Sequence, residues 1–178
     1  MNRTRIVIAG LALFATACSS GVTDGDAKPV TTSETQTTTS SSSSGDGALV
    51  GLKPCELVTG TEASGLGLGS PEPRRAAGAD TCEWESNDSG GLTVALNTTI
   101  GAESLNYKTS NKTPLKVGKY DGFIARPKED SGLCDVVISV TDSSSVQVVA
   151  NADVANRNSA KACELAQKSA DFVAAKLP

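Results

Sequence analysis

The chain has 178 residues, of which 38% are hydrophobic and only 3% aromatic, and its formal net charge is −4. Binding of nucleic acid requires a basic surface, so an acidic chain of this kind predicts no nucleic-acid partner. The chain contains no histidine, which excludes Ser-His-Asp and Cys-His catalysis as well as zinc sites built on imidazole. An enzyme would have to use carboxylates, Lys, Tyr, Ser or Cys. Because the sequence shows no catalytic motif, we expect no enzymatic activity, no cofactor and no metal site.

The first 17 residues have the pattern of a signal peptide. Arg3 and Arg5 form a positive start, and an apolar run follows over residues 6–14. That run is too short to cross a bilayer, which needs about 20 residues, but it has the length of a secretory signal core. Three small residues at positions 15–17 then suit cleavage by a signal peptidase, so residues 1–17 are predicted to be removed.

Cys18 follows these small residues directly, and this arrangement resembles a bacterial lipobox. The resemblance implies a diacylglyceryl group on the Cys18 thiol, cleavage before Cys18, and acylation of its amino group, for example with palmitate. The usual lipobox has leucine three residues before the cysteine, whereas this chain has Ala15. The alternative is an ordinary signal peptide with an incidental cysteine. If the lipobox interpretation holds, the protein is predicted to lie on the extracytoplasmic face of the cell membrane.

Residues 18–47 combine the lipidated cysteine with a stretch rich in serine and threonine that has almost no large apolar side chain. Such a stretch cannot bury enough surface to offset the entropy of ordering, so it is predicted to be a disordered tether. A coil of this length reaches on the order of 30 Å. Residues 48–178 have a globular composition and form the predicted extracytoplasmic domain.

Elements of this domain are predicted from turn signals and apolar periodicity. A helix is expected to begin at Pro54 and to stop at Gly60, a short helical turn to follow from Thr61, and residues 70–78 to form a loop. A final helix capped by Asn158 or Ser159 carries an apolar stripe. Period-two alternation predicts five strands, in the segments TCEWES, GLTVALNT, DGFIA, LCDVVISV and SSVQVVA. The predicted fold is α+β: an antiparallel sheet of about five strands with N- and C-terminal helices packed on one face, held by two disulfides.

Four cysteines remain for these disulfides, and four cysteines allow three connectivities. Cys82 and Cys134 both lie on apolar strand faces, and Cys55 and Cys163 both lie near helix starts. We therefore predict the pairs Cys82–Cys134 and Cys55–Cys163. A metal-ligating or redox role for these cysteines is the alternative, but no C-x-x-C motif is present and an oxidising compartment favours disulfides.

Several short motifs together resemble a known family. They are PCELV, CEW, GLC before a valine-rich strand, and the closing ACELAQKSADFVAAKLP, all preceded by a lipobox and a serine/threonine tether. In this order they are similar to the domain of unknown function 3558, found in actinobacterial lipoproteins, and the resemblance covers residues 51–178. It implies an envelope lipoprotein whose activity is not established.

A few other residues are functional candidates. Trp84 is the candidate ligand contact, although packing on a disulfide is the simpler role. Glu83, Glu85 and Asp88 suggest a carboxylate pair of the kind that hydrolyses glycosides, but a solvated strand face explains them equally well.

The glycines of residues 65–69 resemble part of a phosphate loop, but a dinucleotide site needs a strand before them and a helix after. A basic stretch could meet anionic envelope polymers or lipid headgroups, or be a solvated loop; it comprises Lys108, Lys112, Lys116, Lys119, Arg126 and Lys128.

The function predicted from these features is a membrane-anchored extracytoplasmic lipoprotein that acts as a non-catalytic binding or interaction module of the cell envelope. Its partners would be the membrane, through Cys18, and an envelope protein, polymer or lipid. Two alternatives stay open. One is a small-molecule or lipid carrier, which needs an apolar cavity between sheet and helices. The other is a carboxylate-dependent envelope hydrolase.

Overall fold

Seven strands form one antiparallel sheet in the computed structural model, which describes residues 47–86, 90–152 and 157–178. Their order across the sheet is β1-β2-β3-β7-β6-β5-β4, so two meanders meet where β3 pairs with β7. The strands are β1 (Leu68–Ala76), β2 (Ala79–Ser86), β3 (Gly91–Asn97), β4 (Ser110–Val117), β5 (Tyr120–Pro127), β6 (Leu133–Thr141) and β7 (Ser144–Asn151).

The prediction of about five strands was wrong by two, and both missed strands lie at the edges of the sheet. Strand β1 covers most of the predicted loop over residues 70–78, and β4 occupies the lysine-bearing segment before DGFIA. Edge strands pair on one side only, and they carry proline and lysine that prevent pairing with other chains. Pro71 and Pro73 in β1, and Pro114 in β4, play this part. These residues gave the two segments the composition of loops.

The C-terminal helix α2 (Ser159–Ala174) packs on β6 and β7, as predicted. The Asn158 side chain caps it by accepting hydrogen bonds from the backbone N–H groups of Ala160 and Lys161. Ala166 and Ala170 are fully buried, so the small residues of the helix serve close packing against the sheet. Within the described ranges, no helix has the length and apolar character needed to cross a membrane.

The N-terminal helix expected from Pro54 to Gly60 is not formed. Residues Pro54–Glu56 make one 3-10 turn, and a separate short helix, α1 (Gly60–Gly65), begins where the predicted helix was to stop. The reason is a capping box: the Thr59 hydroxyl accepts from the Glu62 N–H, and the Glu62 carboxylate accepts from the Thr59 N–H. This reciprocal pair makes Thr59 the start of a helix.

The predicted disulfide pairing was also wrong, because the bonds are Cys55–Cys82 and Cys134–Cys163. The order of the strands explains why Cys82 and Cys134 do not bond to each other. Cys82 lies on β2 and Cys134 on β6, and two strands separate β2 from β6 in the sheet. Three strand spacings amount to about 14 Å, which is beyond the reach of a disulfide. Each strand cysteine bonds instead to the helical segment above it, with Cα–Cα distances of 5.0 and 4.9 Å.

Helices cover one face of the sheet, and the main core lies between them and the strands. The opposite face carries a second, smaller core of Ala102, Phe123, Ala125 and Val137. Three of these residues are on β5 and β6, whereas Ala102 belongs to the connection between β3 and β4. This connection therefore covers part of the face that the helices leave open.

Candidate functional site: the strap cleft

Residues 98–109 connect β3 to β4, and we call this segment the strap. Strand β3 lies in the middle of the sheet and β4 at its edge, so the strap must cross β7, β6 and β5. Its 3-10 turn (Ala102–Ser104) packs on the second core. At the start of the strap, Gly101 lies so close to the carbonyl oxygen of Asp142 that a Cβ atom would overlap it. The strap is thus fitted closely to the open face.

A hydrogen-bond network joins the strap to the strands beneath it. The Ser145 hydroxyl donates to the Ile100 carbonyl oxygen at 2.7 Å. The Asn97 amide donates to Gln147 Oε1 at 3.0 Å and to Ser145 Oγ at 3.4 Å. Gln147 Nε2 then donates to the Tyr107 hydroxyl at 2.7 Å. Polar side chains from β3 and β7 therefore hold both ends of the strap.

Tyr107 also forms a hydrogen bond with Asp135, which lies on the open face of β6. Burial raises the pKa of Tyr107, and the nearby Asp135 charge raises it further. Burial likewise raises the pKa of Asp135, against the opposing effect of the hydrogen bond from Tyr107. Tyr107 and Asp135 are half-buried, and a pair of titratable groups with shifted pKa values beside a cleft makes a candidate functional site.

The aromatic rings and one lysine extend this arrangement toward solvent. The Tyr107 and Phe123 rings meet edge to face, with centroids 5.4 Å apart and planes at 84°. The Lys112 ammonium group lies 4.3 Å from the centre of the Phe123 ring, in cation–π geometry. It is also 4.0 Å from a Glu103 carboxylate oxygen. Lys112 is consequently held over the second core by contacts on two sides.

Between the strap and β4 lies an open cleft of about 530 Å³, which we call the strap cleft. Tyr107 connects it to the buried network, and Lys112 connects it to the aromatic pair. Its walls carry hydrogen-bond donors and acceptors, together with positively and negatively charged side chains. The lining residues are Glu103, Ser104, Leu105, Asn106, Tyr107, Lys108 and Lys112.

Two further clefts lie on the helix-covered side. One, of about 410 Å³, is formed by the 3-10 turn at Pro54 and by Pro71 and Pro73 of β1. The other, of about 420 Å³, lies between the end of α1 and the first turns of α2. Their charged side chains include Arg74 and Glu164, which are exposed and held in surface ion pairs. The strap cleft differs because a buried hydrogen-bond network positions its lining.

Trp84, the predicted ligand contact, is only 1% exposed and lies in the main core. A molecule from solvent cannot stack on this ring in the folded domain, so that prediction was wrong. Trp84 shares the helix-covered face of β2 with Cys82, and its role is packing. Its indole N–H has no hydrogen-bond partner within the described residues.

The other sequence candidates are dispersed. Glu83 and Glu85 are exposed on β2, and the Glu83 carboxylate is 3.6 Å from Arg74 Nε in a surface ion pair. The glycine-rich residues 65–69 run from the end of α1 into β1, the reverse of the order that a dinucleotide site needs. Cys18, Asp88, the signal segment and the tether up to residue 46 lie outside the described residues.

The basic stretch is visible in the sequence, but the site beside it is not. Only one signal could have indicated the site: Asp135 is a charged residue inside the valine-rich strand LCDVVISV. Asn97 and Gln147 are polar residues on strands, but their alternation alone predicts a solvated face. Their partner Tyr107 comes from a loop, and no periodicity reports where a loop lies.

Comparisons with known proteins identify a family and nothing more specific. No curated protein and no solved structure matches the chain. Residues 13–176, in contrast, match the family model described as "Protein of unknown function (DUF3558)". This match covers most of the chain, from the end of the predicted signal peptide to the end of the last helix. The chain therefore belongs to the family of proteins of unknown function DUF3558.

Proposed function

We propose that this protein is a binding module of the cell envelope, anchored by a lipid on Cys18, and that the strap cleft is its binding site. The anchor rests on the lipobox-like sequence at residues 15–18 and on the tether that follows. The binding role rests on one observation, which is the buried network under the strap. Side chains from three strands are used to hold a single loop residue, Tyr107, at the cleft wall.

Placing these polar groups under a loop costs free energy, and precise positioning of the loop is a reason to retain them. A half-buried carboxylate and a half-buried phenol lose part of their hydration, and their hydrogen bonds only partly offset that loss. A loop that merely covered Phe123 could do so with apolar side chains. The network instead holds the Tyr107 hydroxyl and thereby fixes the position of the ring at the cleft wall, as a preorganised binding site requires.

The charges at the cleft indicate the class of ligand. Lys108 and Lys112 outnumber Glu103, so the rim carries a net positive charge. Ser104 and Asn106 add hydrogen-bonding groups. We propose that the ligand is a small polar molecule or chain end with hydroxyl groups and at least one anionic group.

Native mass spectrometry of the protein purified from its own host tests this binding role, because the host supplies the ligand and the added mass reveals it. We expect a discrete non-covalent mass on the wild-type domain that disappears on denaturation. The variants Lys112→Gln and Tyr107→Phe should retain little of the bound ligand. The first removes a cation from the cleft, and the second removes the hydroxyl through which Gln147 and Asp135 hold Tyr107 in place.

Lys116→Gln is the matched control. Lys116 lies on the same face of β4 as Lys112, but it pairs with Asp121 at 2.9 Å, outside the cleft. This variant should keep the bound mass. A wild-type protein without bound mass, or equal retention in all three variants, would count against the strap cleft as the site.

The anchor has its own test. Intact mass of the membrane-extracted chain should show loss of residues 1–17 and addition of a diacylglyceryl group, and of an acyl chain where the host attaches one. Cys18→Ser should remain uncleaved at this site and carry no lipid. An unmodified thiol at Cys18 in the wild-type protein would overturn the anchor.

A further inference from the structure

The basic side chains between residues 108 and 128 form one edge of the domain. We call this set the basic edge; it consists of Lys108, Lys112, Lys116, Lys119, Arg126 and Lys128. Residues 103–129 contain six basic and three acidic side chains, a net charge of +3. The whole chain carries −4, so the remaining residues carry −7. The positive charge is therefore concentrated in one segment of an acidic chain.

The sheet topology brings these residues together. Strand β4 is the outermost strand, and Lys112 and Lys116 project from the same face of it, about 13 Å apart. The backbone N–H of Lys128 donates to the Thr109 carbonyl oxygen at 3.2 Å, which places Lys128 beside Lys108. Arg126 pairs in register with Asn111 on β4. Lys108, Arg126 and Lys128 thus gather at one end of the edge.

Ion pairs neutralise only part of this edge. Lys116 pairs with Asp121, and Lys112 lies near Glu103. Lys108, Lys119, Arg126 and Lys128 are exposed, and their side chains form no ion pair with any residue that the structure describes. Lys119 lies over the Tyr120 ring, 5.2 Å from its centre, in the turn between β4 and β5. Three cations at one end of the edge are consequently available to an external anion.

Protection of the sheet edge accounts for only some of these charges. Lysines on an edge strand prevent pairing with another chain, which suffices to explain Lys112 and Lys116. Arg126, however, lies on β5, which is paired with strands on both sides. Lys108 and Lys128 lie outside the strands altogether. A different reason is needed for Lys108, Arg126 and Lys128.

We propose that the basic edge docks onto the surface of an anionic phospholipid bilayer. The proposal rests on the proposed anchor, because a lipid on Cys18 would keep the domain within a tether length of a membrane, on the order of 30 Å. Exposed lysine and arginine side chains are long and flexible, so they can reach headgroup phosphates without a fixed spacing. Each cation near an anionic surface strengthens binding about fivefold. Salt weakens this attraction within a Debye length of about 10 Å.

Vesicle sedimentation tests the docking with the mature chain, residues 18–178, carrying Cys18→Ser so that no acyl group contributes. We expect binding to vesicles of equal parts phosphatidylglycerol and phosphatidylcholine, and not to vesicles of phosphatidylcholine alone. High salt should release the protein. The double variant Arg126→Gln/Lys128→Gln should bind about 25-fold more weakly, as two contributions of about fivefold predict.

Lys53→Gln/Lys168→Gln is the control, because it removes the same charge from exposed ion pairs outside the basic edge. It should bind like wild type. Equal weakening by both double variants, or no preference for anionic vesicles, would overturn the proposal. A soluble polyphosphate bound as tightly as the vesicles would overturn it too, in favour of a free phosphate polymer. The assay involves neither the acyl group nor the cleft ligand, so its failure would leave both tests of the proposed function unaffected.

Discussion

The Lys176 ammonium group lies 2.6 Å from a Glu62 carboxylate oxygen and also donates to the Leu57 carbonyl oxygen at 2.8 Å. Lys176 follows α2 at the C-terminal end of the domain, whereas Glu62 lies in α1 near its beginning. The two side chains are only 29% and 24% exposed. One lysine therefore connects the first helical segment of the domain to the last.

We expect Lys176→Met to lower the free energy of unfolding at pH 7 by about 1 kcal/mol, because the pair is partly shielded from solvent. Urea denaturation measures this change. Lys168→Met, which breaks the exposed pair with Glu164, should have little effect. Equal losses in the two variants would contradict the special position of Lys176.

The same pair predicts a pH dependence. Burial acts to raise the pKa of Glu62, but hydrogen bonds from Lys176 and Thr59 outweigh it and leave the pKa below its ordinary value of 4.5. A lowered carboxyl pKa stabilises the fold above the unfolded-state pKa, and the stabilisation is lost as the pH falls through the folded-state pKa. The difference between wild type and Lys176→Met should therefore shrink in acid. A difference that is constant with pH would contradict this account.

The observed disulfides predict a distinctive pattern of free thiols. In a chain that also carries Cys18→Ser, the variants Cys55→Ala/Cys82→Ala and Cys134→Ala/Cys163→Ala each remove one whole bond, so neither should expose a reactive thiol. Cys55→Ala/Cys163→Ala should leave Cys82 and Cys134 as two free thiols, because the sheet holds them too far apart to bond. Thiol titration in denaturant distinguishes these results, and an absence of thiols in the last variant would restore the pairing that the sequence suggested.

Both bonds should contribute similarly to stability. Their sequence separations are 27 and 29 residues. In the chain-entropy account, a closed loop of this size is worth about 3.5 kcal/mol. We expect each matched double variant to lose about that much, as measured by chemical denaturation. A loss confined to one bond would show that local packing, rather than chain entropy, dominates.

Asp135 should limit stability at neutral pH. Burial raises its pKa in the folded state, so the fold is favoured when the carboxyl is neutral, and this advantage is lost as the pH rises through the folded-state pKa. Asp135→Asn keeps a hydrogen-bond acceptor for Tyr107 without the charge. We expect it to raise the free energy of unfolding at pH 7 but not near pH 3, where an ordinary aspartate is already mostly protonated.

Asp121→Asn is the control for this experiment, because Asp121 is exposed and its side chain pairs with Lys116. It should not become more stable at pH 7. An Asp135→Asn variant that is less stable at both pH values would mean that the carboxylate is essential to the strap network.

Gly101 should be essential for seating the strap. A Cβ atom at this position would overlap the Asp142 carbonyl oxygen, so Gly101→Ala must displace the backbone. We expect a loss of about 1–3 kcal/mol, the range for overpacking in a filled site. Gly65→Ala, where a Cβ meets no atom within 4 Å, should be close to neutral in the same denaturation assay. A neutral Gly101→Ala would show that the strap adapts easily.

Much of the fold could be predicted from local pattern, because alternation reports which side of a strand faces the core. Strands β2, β3, β6 and β7 each bury at least one face between paired neighbours, and their alternation was clear in the sequence. The apolar stripe of α2 and its cap at Asn158 were equally local signals. Family membership also followed from the order of short motifs, and the match over residues 13–176 confirms it.

Tertiary structure alone decided the edges, the disulfides and the candidate site. The edge strands β1 and β4 have a partner on one side only, so solvent and edge protection shape their sequences more than the core does. The disulfides depend on strand order, which period-two alternation does not encode. Tyr107 and Asp135 meet because the strap crosses three strands, a consequence of β3 pairing with β7 across some 50 residues of chain. Local pattern thus reports burial, and only the assembled sheet determines which buried groups become neighbours.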